Sequence, residues 1–373
     1  MIEGKAFYEY LVSRQFDFFA GVPDSLLKEL CSCLRDDCPA DRHIITANEG
    51  NAVAMAGGYH LSSGNYGVVY MQNSGLGNAI NPLLSLMDQA VYGIPMLLLI
   101  GWRGEPGSPD EPQHRKQGEV TLAMLESMGM DYQILTDDYK AQIDWCREYV
   151  GKQSKPVALV VRKNQFAGSR EAQAGEGGFS LSREEALGLL LDHITDDDLV
   201  VATTGKTSRE LYELRESRGQ GHAGDFLSVG AMGHTASLAA GISLGTAQNV
   251  YCVDGDGSFL MHMGNMGVIT RHVKANFKYI LINNGAHESV GGQPTVGFAV
   301  GMEQILAGCG FEQVLSADSA EAFSLALQRQ QEQPGTAVIV LVKVGSRASL
   351  GRPAGSPGEW KQLFTERLKG ETG

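Results

Sequence analysis

Short apolar runs and longer amphipathic stretches alternate along the chain. The apolar runs in the first half are FDFFAGV, HIITA, YGVVYMQ, IPMLLLIGW, DYQIL and PVALVVR. Amphipathic stretches separate them at 25–34, 50–61, 78–86 and 120–128. Apolar strands that alternate with helices predict a parallel sheet that is covered on both faces.

The same alternation restarts after a polar segment rich in Gly, Ala and Ser, KNQFAGSREAQAGEGGFSLS. The later runs are DDLVVATTG, DFLSVGAMG, NVYCVDGDG, FKYILINNG and TAVIVLVKV, and no sequence repeat links the two halves. The pattern predicts an α/β fold with two doubly wound parallel-sheet domains. We place the domains at 1–165 and 182–373, with a linker at 166–181.

Composition narrows the class of protein. The chain has 373 residues, 43% of them hydrophobic, which suits two folded domains and argues against disorder. The net charge of −13 argues against binding to nucleic acid or to an anionic membrane. The N-terminus lacks a signal-peptide pattern, and no apolar run reaches the roughly 20 residues of a membrane span. We therefore expect a cytoplasmic protein.

Six cysteines raise the question of a zinc site, because Cys31, Cys33 and Cys38 cluster near His43. The spacing C-x-C-x4-C-x4-H matches no usual zinc pattern, and the cysteines lie on a predicted helix. We interpret them as small, buried apolar residues.

Residues that can carry chemistry are concentrated where the predicted strands end, as expected for ligand sites in doubly wound sheets. The turn VDGDGS contains Gly255 and Gly257, which allow a sharp bend before a helix predicted at 258–272. The N-terminus of such a helix suits a phosphate. Leu260 stands where a dinucleotide fingerprint needs glycine, and Leu199 excludes a Walker loop at TTGKTS.

Asp256 would repel a phosphate held by the same turn unless a hard divalent cation bridges the two groups. The next predicted strand ends in INNGAH, which offers amide and carbonyl oxygens as further ligands. Asn284 follows Asp256 after 28 residues, the length of one helix and one strand, so the chain returns beside the turn. The spacing therefore predicts a metal–phosphate site.

GDG followed by a double asparagine is similar to the metal–diphosphate motif of the thiamine diphosphate enzymes. The resemblance covers about Gly21 to Gly297 and implies thiamine diphosphate and Mg²⁺ as cofactors. It assigns the metal to the side chains of Asp256 and Asn284 and to the carbonyl of Ala286. Asn283 is the lesser choice, and a plain acidic turn followed by an Asn-Gly hairpin is the structural alternative. The family also implies a homo-oligomer with the cofactor at a subunit interface.

The same resemblance implies the other cofactor residues. Glu49, in IITANEGNAVAMAGG, matches the glutamate that shares a proton with the aminopyrimidine, unless it is only an acid at a helix N-terminus. Met232 matches the apolar wedge that bends the cofactor, unless it is a core residue. The segment MQNSGLGNAINPL looks like the border of the pyrimidine site. The further cofactor-binding residues implied are Asn73, Gly205, Thr207, Gly230, Gly255, Gly257 and Ser258.

Large decarboxylases of this family carry a third domain between the two, and here only a short linker joins them. Among compact members, GVPDSLLK, GWRGEP, DEPQH and NNGAHESVGGQPTVGF look like the phosphonopyruvate decarboxylases. That resemblance implies loss of carbon dioxide from 3-phosphonopyruvate through a cofactor ylide and an enamine, in phosphonate biosynthesis. Sulfopyruvate decarboxylases, a thiamine-dependent ligase and a non-catalytic nucleotide- or metal-binding module are the alternatives.

A small anionic 2-oxoacid needs donors that oppose the negative overall charge. Strand ends offer Arg103, His114, Arg115, Lys116, Lys206, Arg209, His287 and Ser289, of which Arg103, Lys116, His287 and Ser289 are the preferred substrate residues. Each of them could instead be an ordinary exposed loop residue. Asp24 and His114 join Glu49 as predicted catalytic residues, although Asp24 could simply cap a helix. Residues 101–119 are expected to form a mobile loop over the site.

Overall fold

Two parallel sheets organise the chain. The computed structural model describes residues 1–167, 178–346 and 350–369. The chain divides into two compact units, Met1–Gln173 with Val290–Gln293, and Ala174–Ser289 with Pro294–Gly373. Each unit contains one six-stranded parallel sheet, so the predicted α/β fold is confirmed, and no third domain occurs among the described residues. Most of the predicted linker, 168–177, lies outside the described residues, and the domain boundaries stay a prediction.

Strands and helices alternate in the first unit as the hydrophobic pattern predicts. The elements are β1 (Ile2–Glu3), α1 (Gly4–Ser13), β2 (Phe16–Gly21), α2 (Lys28–Asp37), β3 (His43–Ile45), α3 (Glu49–Ser63), β4 (Tyr66–Gln72), α4 (Leu76–Pro82), β5 (Met96–Gly101), α5 (Pro112–Ser127), β6 (Tyr132–Ile134), α6 (Tyr139–Gln153), β7 (Val157–Val161) and β8 (Phe166–Ala167). The sheet order is β3-β2-β4-β5-β7-β6, with neighbouring strands parallel. β1 pairs with β8, so the first two residues of the predicted linker form a strand.

Both faces of this sheet are buried because its strands carry apolar side chains on both sides. In β4, Tyr66, Val68 and Tyr70 face one core cluster, whereas Val69 and Met71 face the other. This alternation is the period of two that a strand imposes. Helices α1, α2 and α6 cover the first face, and α3, α4 and α5 cover the second.

The second unit repeats the arrangement with different residues. Its part of the chain contains α7 (Arg183–His193), β9 (Leu199–Ala202), α8 (Lys206–Ser217), β10 (Asp225–Leu227), α9 (Thr235–Gly245), β11 (Val250–Gly255), α10 (Asp256–His262), α11 (Met266–His272), β12 (Phe277–Asn283), β13 (Ala286–His287), β14 (Gln293–Pro294), α12 (Met302–Cys309), β15 (Gln313–Ala317), α13 (Ala320–Glu332), β16 (Thr336–Leu341) and α14 (Pro357–Lys369). The sheet order β10-β9-β11-β12-β16-β15 matches the first sheet strand for strand. The two halves therefore share one architecture, although no sequence repeat is visible between them.

The helix predicted at 258–272 is wrong in its extent. α10 begins two residues earlier, at Asp256, and a 3₁₀ turn at Met263–Asn265 separates it from α11. Gly264 lies in that turn, and glycine is a poor helix former because it loses more backbone freedom than other residues. None of the described helices combines the length and the apolar character that crossing a membrane requires.

The cysteines near the N-terminus are not grouped as a zinc site requires. Cys31 and Cys33 lie in α2, Cys38 follows its end, and none of the three forms a disulfide. In the part of the chain that the structure describes, no group of three or more His, Cys, Asp or Glu could hold a metal ion. Cys31 is buried in the core, as its interpretation as a small apolar residue requires.

Candidate active site

The strand order identifies one position at the edge of each sheet as the place for a ligand. Doubly wound sheets bind ligands at the carboxyl ends of two neighbouring strands after which the chain continues in opposite directions. In the first unit this point lies between β2 and β4, whose ends lead to Asp24 and Asn73. In the second unit it lies between β9 and β11, whose ends lead to Gly205 and Asp256. Four residues predicted from the sequence therefore stand at these two positions.

Glu49 is a buried carboxyl group at the first residue of α3. Only 5% of the residue is exposed, and burial raises its pKa, while a hydrogen bond from Asn78 Nδ2 to its Oε2 at 2.8 Å opposes that rise. Gly75 makes room for the group, since a Cβ at this position would lie 2.4 Å from Oε1. A carboxyl group with a raised pKa can share a proton with a nitrogen base. Sequence analysis missed Asn78 and Gly75, although both lie in the segment MQNSGLGNAINPL.

Asp24 is a second buried carboxyl group in the first unit. The residue is fully buried, and burial raises its pKa to about 6 against the favourable charge of Arg103. Its Oδ2 accepts from the backbone N–H of Leu26 at 3.2 Å, and its Oδ1 has no hydrogen-bond partner among the described residues. The alternative role as a helix cap does not apply, because Leu27 is the N-cap of α2. The group can therefore exchange a proton near neutral pH.

Asp110 binds two residues that the sequence assigns to the substrate and to catalysis. Its carboxylate accepts from Arg103 Nε at 2.8 Å and Nη2 at 2.5 Å, and its Oδ1 lies 2.9 Å from His114 Nδ1. The backbone N–H groups of Gly104 and Glu111 also donate to it, each at 2.7 Å. Burial alone would raise the pKa of Asp110, but these hydrogen bonds hold it well below its ordinary value. The sequence offered a signal for Asp110, since it is the acid of DEPQH.

Asn73 links Arg103, the second residue after β5, to α5. Its Nδ2 donates to the carbonyl of Arg103 and to Thr121 Oγ1, each at 2.8 Å. Its Oδ1 accepts from the backbone N–H of Arg103 at 3.2 Å. Asn73 therefore positions Arg103, and its predicted contact with the cofactor stays a prediction.

The mobile loop predicted at 101–119 is wrong in its second half. α5 begins at Pro112, because proline is favoured in the first helical turn, where its missing N–H costs no hydrogen bond. The residues that lie on this helix instead of a loop are His114, Arg115 and Lys116. The Lys116 side chain is 81% exposed and pairs with Glu119 at 2.8 Å. The role of Lys116 in binding the substrate stays a prediction. Its exposed position on α5 does not favour that role.

Asp256 and Asn284 come together in the second unit. Asp256 follows β11 and Asn284 follows the adjacent parallel strand β12, so the two strand ends meet. The backbone N–H of Asn284 and the hydroxyl of Thr295 both donate to the Asp256 carboxylate. Burial raises the pKa of Asp256 to about 6 despite these hydrogen bonds. Sequence analysis missed Thr295.

The donor atoms near Asp256 suit a small, hard cation. Carboxylate, amide and carbonyl oxygens are the ligands that Mg²⁺ prefers, and Asp256, Asn284 and Ala286 supply one of each. Asn284 Oδ1 lies 3.1 Å from the backbone nitrogen of Ala286, so these two residues are already close. Gly297 leaves room beside the carboxylate, since a Cβ there would lie 2.6 Å from Asp256 Oδ2. The residues fit the predicted metal, and the ligand assignment stays a prediction.

Asn283, the lesser choice as a ligand, has a different set of contacts. Its Nδ2 donates to the carbonyl of Gly297 at 2.7 Å, and its Oδ1 accepts from the backbone N–H of Gly285 at 3.1 Å. Both ends of the amide thus hold the turn after β12 in place. Both ends of the Asn284 amide are hydrogen-bonded as well, so these contacts do not decide between the two residues, and Asn284 stays the first choice by the resemblance.

The turn that carries Gly230 and Met232 packs on the beginning of α10. The backbone N–H of Gly233 donates to Ser258 Oγ at 3.1 Å. Gly257 lies beneath Met232, since a Cβ on that glycine would lie 3.3 Å from the methionine Cε. Met232 belongs to neither core cluster of the second unit, so its alternative role as a core residue is not supported. Gly230 precedes it in the same turn.

The first turn of α8 has the geometry of an anion-binding helix N-terminus. Gly205 is the N-cap with a φ of 99°, a conformation that favours glycine. A Cβ on Gly205 would lie 3.7 Å from Ser289 Oγ. Thr207 is buried in the first turn, and Lys206 pairs with Glu288 at 3.5 Å. The predicted donors Arg209 and Ser289 are thus on α8 and on the turn facing it.

His287 differs in charge from Arg103 and Lys116, the basic residues among the preferred substrate residues. Burial lowers the pKa of its imidazole to about 4, so the ring is neutral at pH 7. The ring lies beside Gly257, where a Cβ would come 2.9 Å from its Cε1. His287 can therefore hold an anion by N–H donation, but it adds no positive charge there.

Comparison with known proteins assigns both halves of the chain to one family. Residues 2–125 match the thiamine pyrophosphate enzyme N-terminal TPP binding domain, and residues 203–341 match the C-terminal TPP binding domain. A phosphonopyruvate decarboxylase of Streptomyces hygroscopicus is 36% identical over 93% of this chain and 89% of its own. The chain belongs to the thiamine pyrophosphate enzyme family.

Two further relatives of this thiamine pyrophosphate enzyme agree with that assignment. The phosphonopyruvate decarboxylase of Streptomyces viridochromogenes is 36% identical over 92% of this chain and 89% of its own. The sulfopyruvate decarboxylase of Methanosarcina acetivorans is 27% identical over 96% of each chain. The predicted resemblance to phosphonopyruvate decarboxylases is confirmed, and the sulfopyruvate enzyme is more distant.

We expect the Asp24→Asn substitution to stabilise this thiamine pyrophosphate enzyme at neutral pH. The native pKa of about 6 exceeds the ordinary 3.8, so the native state binds this proton more tightly than the unfolded state. The stability from Asp24 is therefore complete below about pH 4 and is lost as pH rises through 6. At pH 7.5 the variant should gain about 2–3 kcal/mol, at roughly 1.4 kcal/mol per pKa unit.

Chemical denaturation of both proteins at pH 4.5 and pH 7.5 measures this change. Because Asp256 titrates in the same range in both proteins, the difference between them isolates Asp24. A difference in unfolding free energy that is equal at the two pH values would contradict the expectation.

Proposed function

We propose that this enzyme converts 3-phosphonopyruvate to phosphonoacetaldehyde and carbon dioxide. The observation that carries the proposal is its similarity to two phosphonopyruvate decarboxylases over nearly the whole of both chains. The buried carboxyl groups Glu49 and Asp24 support it, because proton transfer is needed when a carbon–carbon bond is broken and the product is released. Sulfopyruvate decarboxylation is the second choice, supported by the more distant relative.

Thiamine diphosphate with Mg²⁺ is the cofactor that we propose for this reaction. When bound, it supplies an electron sink for the electrons of the breaking carbon–carbon bond. Asp256, Asn284 and the carbonyl of Ala286 would hold the metal through hard oxygen atoms. Backbone N–H groups at Gly205 and the following turn of α8 would donate to the diphosphate, as helix N-termini do.

Glu49 is the residue that we assign to the aminopyrimidine, where it would hold a proton at the ring nitrogen. Burial favours the neutral form of its carboxyl group, and Asn78 fixes the orientation of the group. A carboxyl group with a raised pKa keeps its proton to a higher pH and can donate it, whereas an ionised carboxylate has no proton to donate. Gly75 is needed for the same role because any side chain there would displace the carboxyl group.

Asp24 and His114 would handle the protons of product formation. With a pKa of about 6, Asp24 exists in both protonation states near neutral pH. The hydrogen bond between His114 Nδ1 and the ionised Asp110 favours the tautomer with the proton on Nδ1. His114 Nε2 then carries a lone pair that can accept a proton.

Arg103 is the donor that we assign to the anionic end of the substrate. Its guanidinium group uses three of its five N–H groups in bonds to Asp110 and to Ser25 Oγ, the latter at 2.8 Å. These bonds hold the planar group in one orientation, which reduces the entropy lost when an anion binds. Phosphonate oxygens form charge-assisted hydrogen bonds with such a group.

We expect kcat/KM to be highest for phosphonopyruvate, lower for sulfopyruvate and lowest for pyruvate. Pyruvate leaves the anion donors without a partner, which costs about 1–3 kcal/mol per group, or about 10- to 100-fold each in specificity. Sulfopyruvate carries one charge fewer than phosphonopyruvate at neutral pH. Parallel assays of carbon dioxide release from the three acids test the order. Equal values for pyruvate and phosphonopyruvate would refute the anion site, even with thiamine chemistry intact.

Glu49→Gln should separate binding from turnover. The amide has nearly the same shape, so folding and affinity for thiamine diphosphate with Mg²⁺ should be kept. Turnover should fall by about 10²- to 10⁴-fold, because the amide cannot hold and release the proton. Calorimetric titration with the cofactor and an assay of carbon dioxide release measure the two effects. Glu185→Gln, at an exposed capping box in α7, is a control for loss of a carboxylate; wild-type turnover in the Glu49 variant would rule the role out.

We also propose a homo-oligomer in which the first unit of one subunit completes the site with the second unit of its partner. The proposal rests on the arrangement that the family implies. It is supported by large apolar side chains that are more than a third exposed on α9 and α11, as expected of a protein–protein interface. These side chains are Leu238, Leu244 and Val268.

Mixing inactive Glu49→Gln subunits with inactive Asp256→Ala subunits should restore part of the activity. A mixed dimer then contains one site in which both residues are intact, provided that the subunits exchange. Carbon dioxide release before and after mixing under exchange conditions measures the effect. A wild-type monomer with full activity in analytical ultracentrifugation would contradict this arrangement.

A further inference from the structure

A buried ion network lies behind the predicted metal ligands. Arg183 is 5% exposed and donates from Nε and Nη2 to the two carboxylate oxygens of Glu210, at 2.7 and 2.8 Å. Its Nη1 donates to Glu288 Oε2 at 2.5 Å. Glu288 Oε1 accepts from the backbone N–H of Gly345 at 2.9 Å and lies 3.5 Å from Lys206 Nζ. Two acids and two bases therefore balance their charge, as a buried network requires.

Glu288 extends this network to Asn284. Asn284 Nδ2 donates to Glu288 Oε2 at 2.9 Å, and Asn284 Oδ1 accepts from the backbone N–H of Ala286 at 3.1 Å. Each end of the amide thus has the partner that its chemistry demands, which fixes which end is nitrogen and which is oxygen. The backbone N–H of Asn284 donates to the Asp256 carboxylate, so the fixed amide and the predicted metal carboxylate are close.

We propose that Glu288 is a positioning residue that sets the amide orientation of Asn284 for the metal. This inference rests on the proposed function, because that function supplies the metal. A cation needs the amide oxygen, and an amide turned by 180° would present its NH₂ group instead. Glu288 opposes that turn, since the turned amide would place its oxygen against a carboxylate that is itself an acceptor.

The expected loss of metal affinity on removal of Glu288 follows from other metal sites. Removal of a group that orients a metal ligand costs about 10- to 100-fold in metal affinity. The loss should appear in metal binding itself, independently of turnover. Glu210 provides a matched comparison, because it binds the same Arg183 and its side chain is even more deeply buried than that of Glu288, but no described hydrogen bond connects it to Asn284.

Mn²⁺ is the probe for the test, with the EPR signal of the free ion followed at a fixed concentration of thiamine diphosphate. Glu288→Ala removes the acceptor and should weaken Mn²⁺ binding by about 10- to 100-fold. Glu210→Ala also leaves Arg183 with a single carboxylate, yet it should bind Mn²⁺ like the wild type. Glu288→Gln keeps an oxygen that can accept from both Arg183 and Asn284, so it should restore most of the affinity.

Equal Mn²⁺ affinities for Glu288→Ala and Glu210→Ala would overturn the inference, because the effect would then be a general loss of the network. Should Glu288→Ala not fold, Glu288→Asp replaces it: its carboxylate is one methylene shorter and must also weaken Mn²⁺ binding. A wild-type enzyme that binds Mn²⁺ tightly but releases no carbon dioxide from phosphonopyruvate would refute the proposed function alone. Wild-type protein that does not bind Mn²⁺ in the presence of thiamine diphosphate would refute this inference.

Discussion

All strands within each six-stranded sheet run in the same direction, and this constraint determines where chemistry can occur. Because both faces of each six-stranded sheet are covered by helices, most strand residues are apolar, as in β5 and β7. The principal polar residues of the candidate site lie in the segments that follow the strands, and parallel strands bring those segments to one edge. The identical strand order of the two sheets repeats this geometry, so each unit offers one edge with buried acids.

Those acids are the costly part of the structure. Burial raises the pKa of Asp24, Glu49 and Asp256, so each loses stability by being ionised. Nearby glycines allow the burial: Gly101 lies against Asp24, Gly75 against Glu49 and Gly297 against Asp256, each at a distance where a Cβ would collide with a carboxylate oxygen. A protein that needed only stability would replace these acids by apolar groups. Their retention in tight pockets is typical of proton transfer and of metal binding.

The sequence predicted the fold, and it singled out residues at strand ends that the structure brings close together, but not the partners of those residues. The hydrophobic period and the motifs at strand ends are local properties of the sequence. They were therefore enough to predict the alternation of strands and helices, the choice of Glu49, and the pairing of Asp256 with Asn284. Asn78, Asp110, Thr295 and Glu288 act through contacts made across turns and helices, which spacing alone does not encode. The error at 101–119 has a local cause, because proline and glycine mark both loops and the first turn of a helix, and only the packed α5 decides between them.

The positive side chains explain how an acidic chain could select a substrate that carries a phosphonate group. Arg103, Arg183 and Arg215 are each held by carboxylates in bidentate pairs. Because a buried guanidinium group without a partner would be strongly destabilising, a bare cation cannot be kept in readiness for the substrate. The anion site that we propose would therefore use oriented N–H donors: the two N–H groups of Arg103 that do not bind Asp110 or Ser25, helix N-termini and the neutral His287. Selection then depends on how many acceptor oxygens a ligand presents in the right directions, which favours a phosphonate over a methyl group more sharply than over a sulfonate.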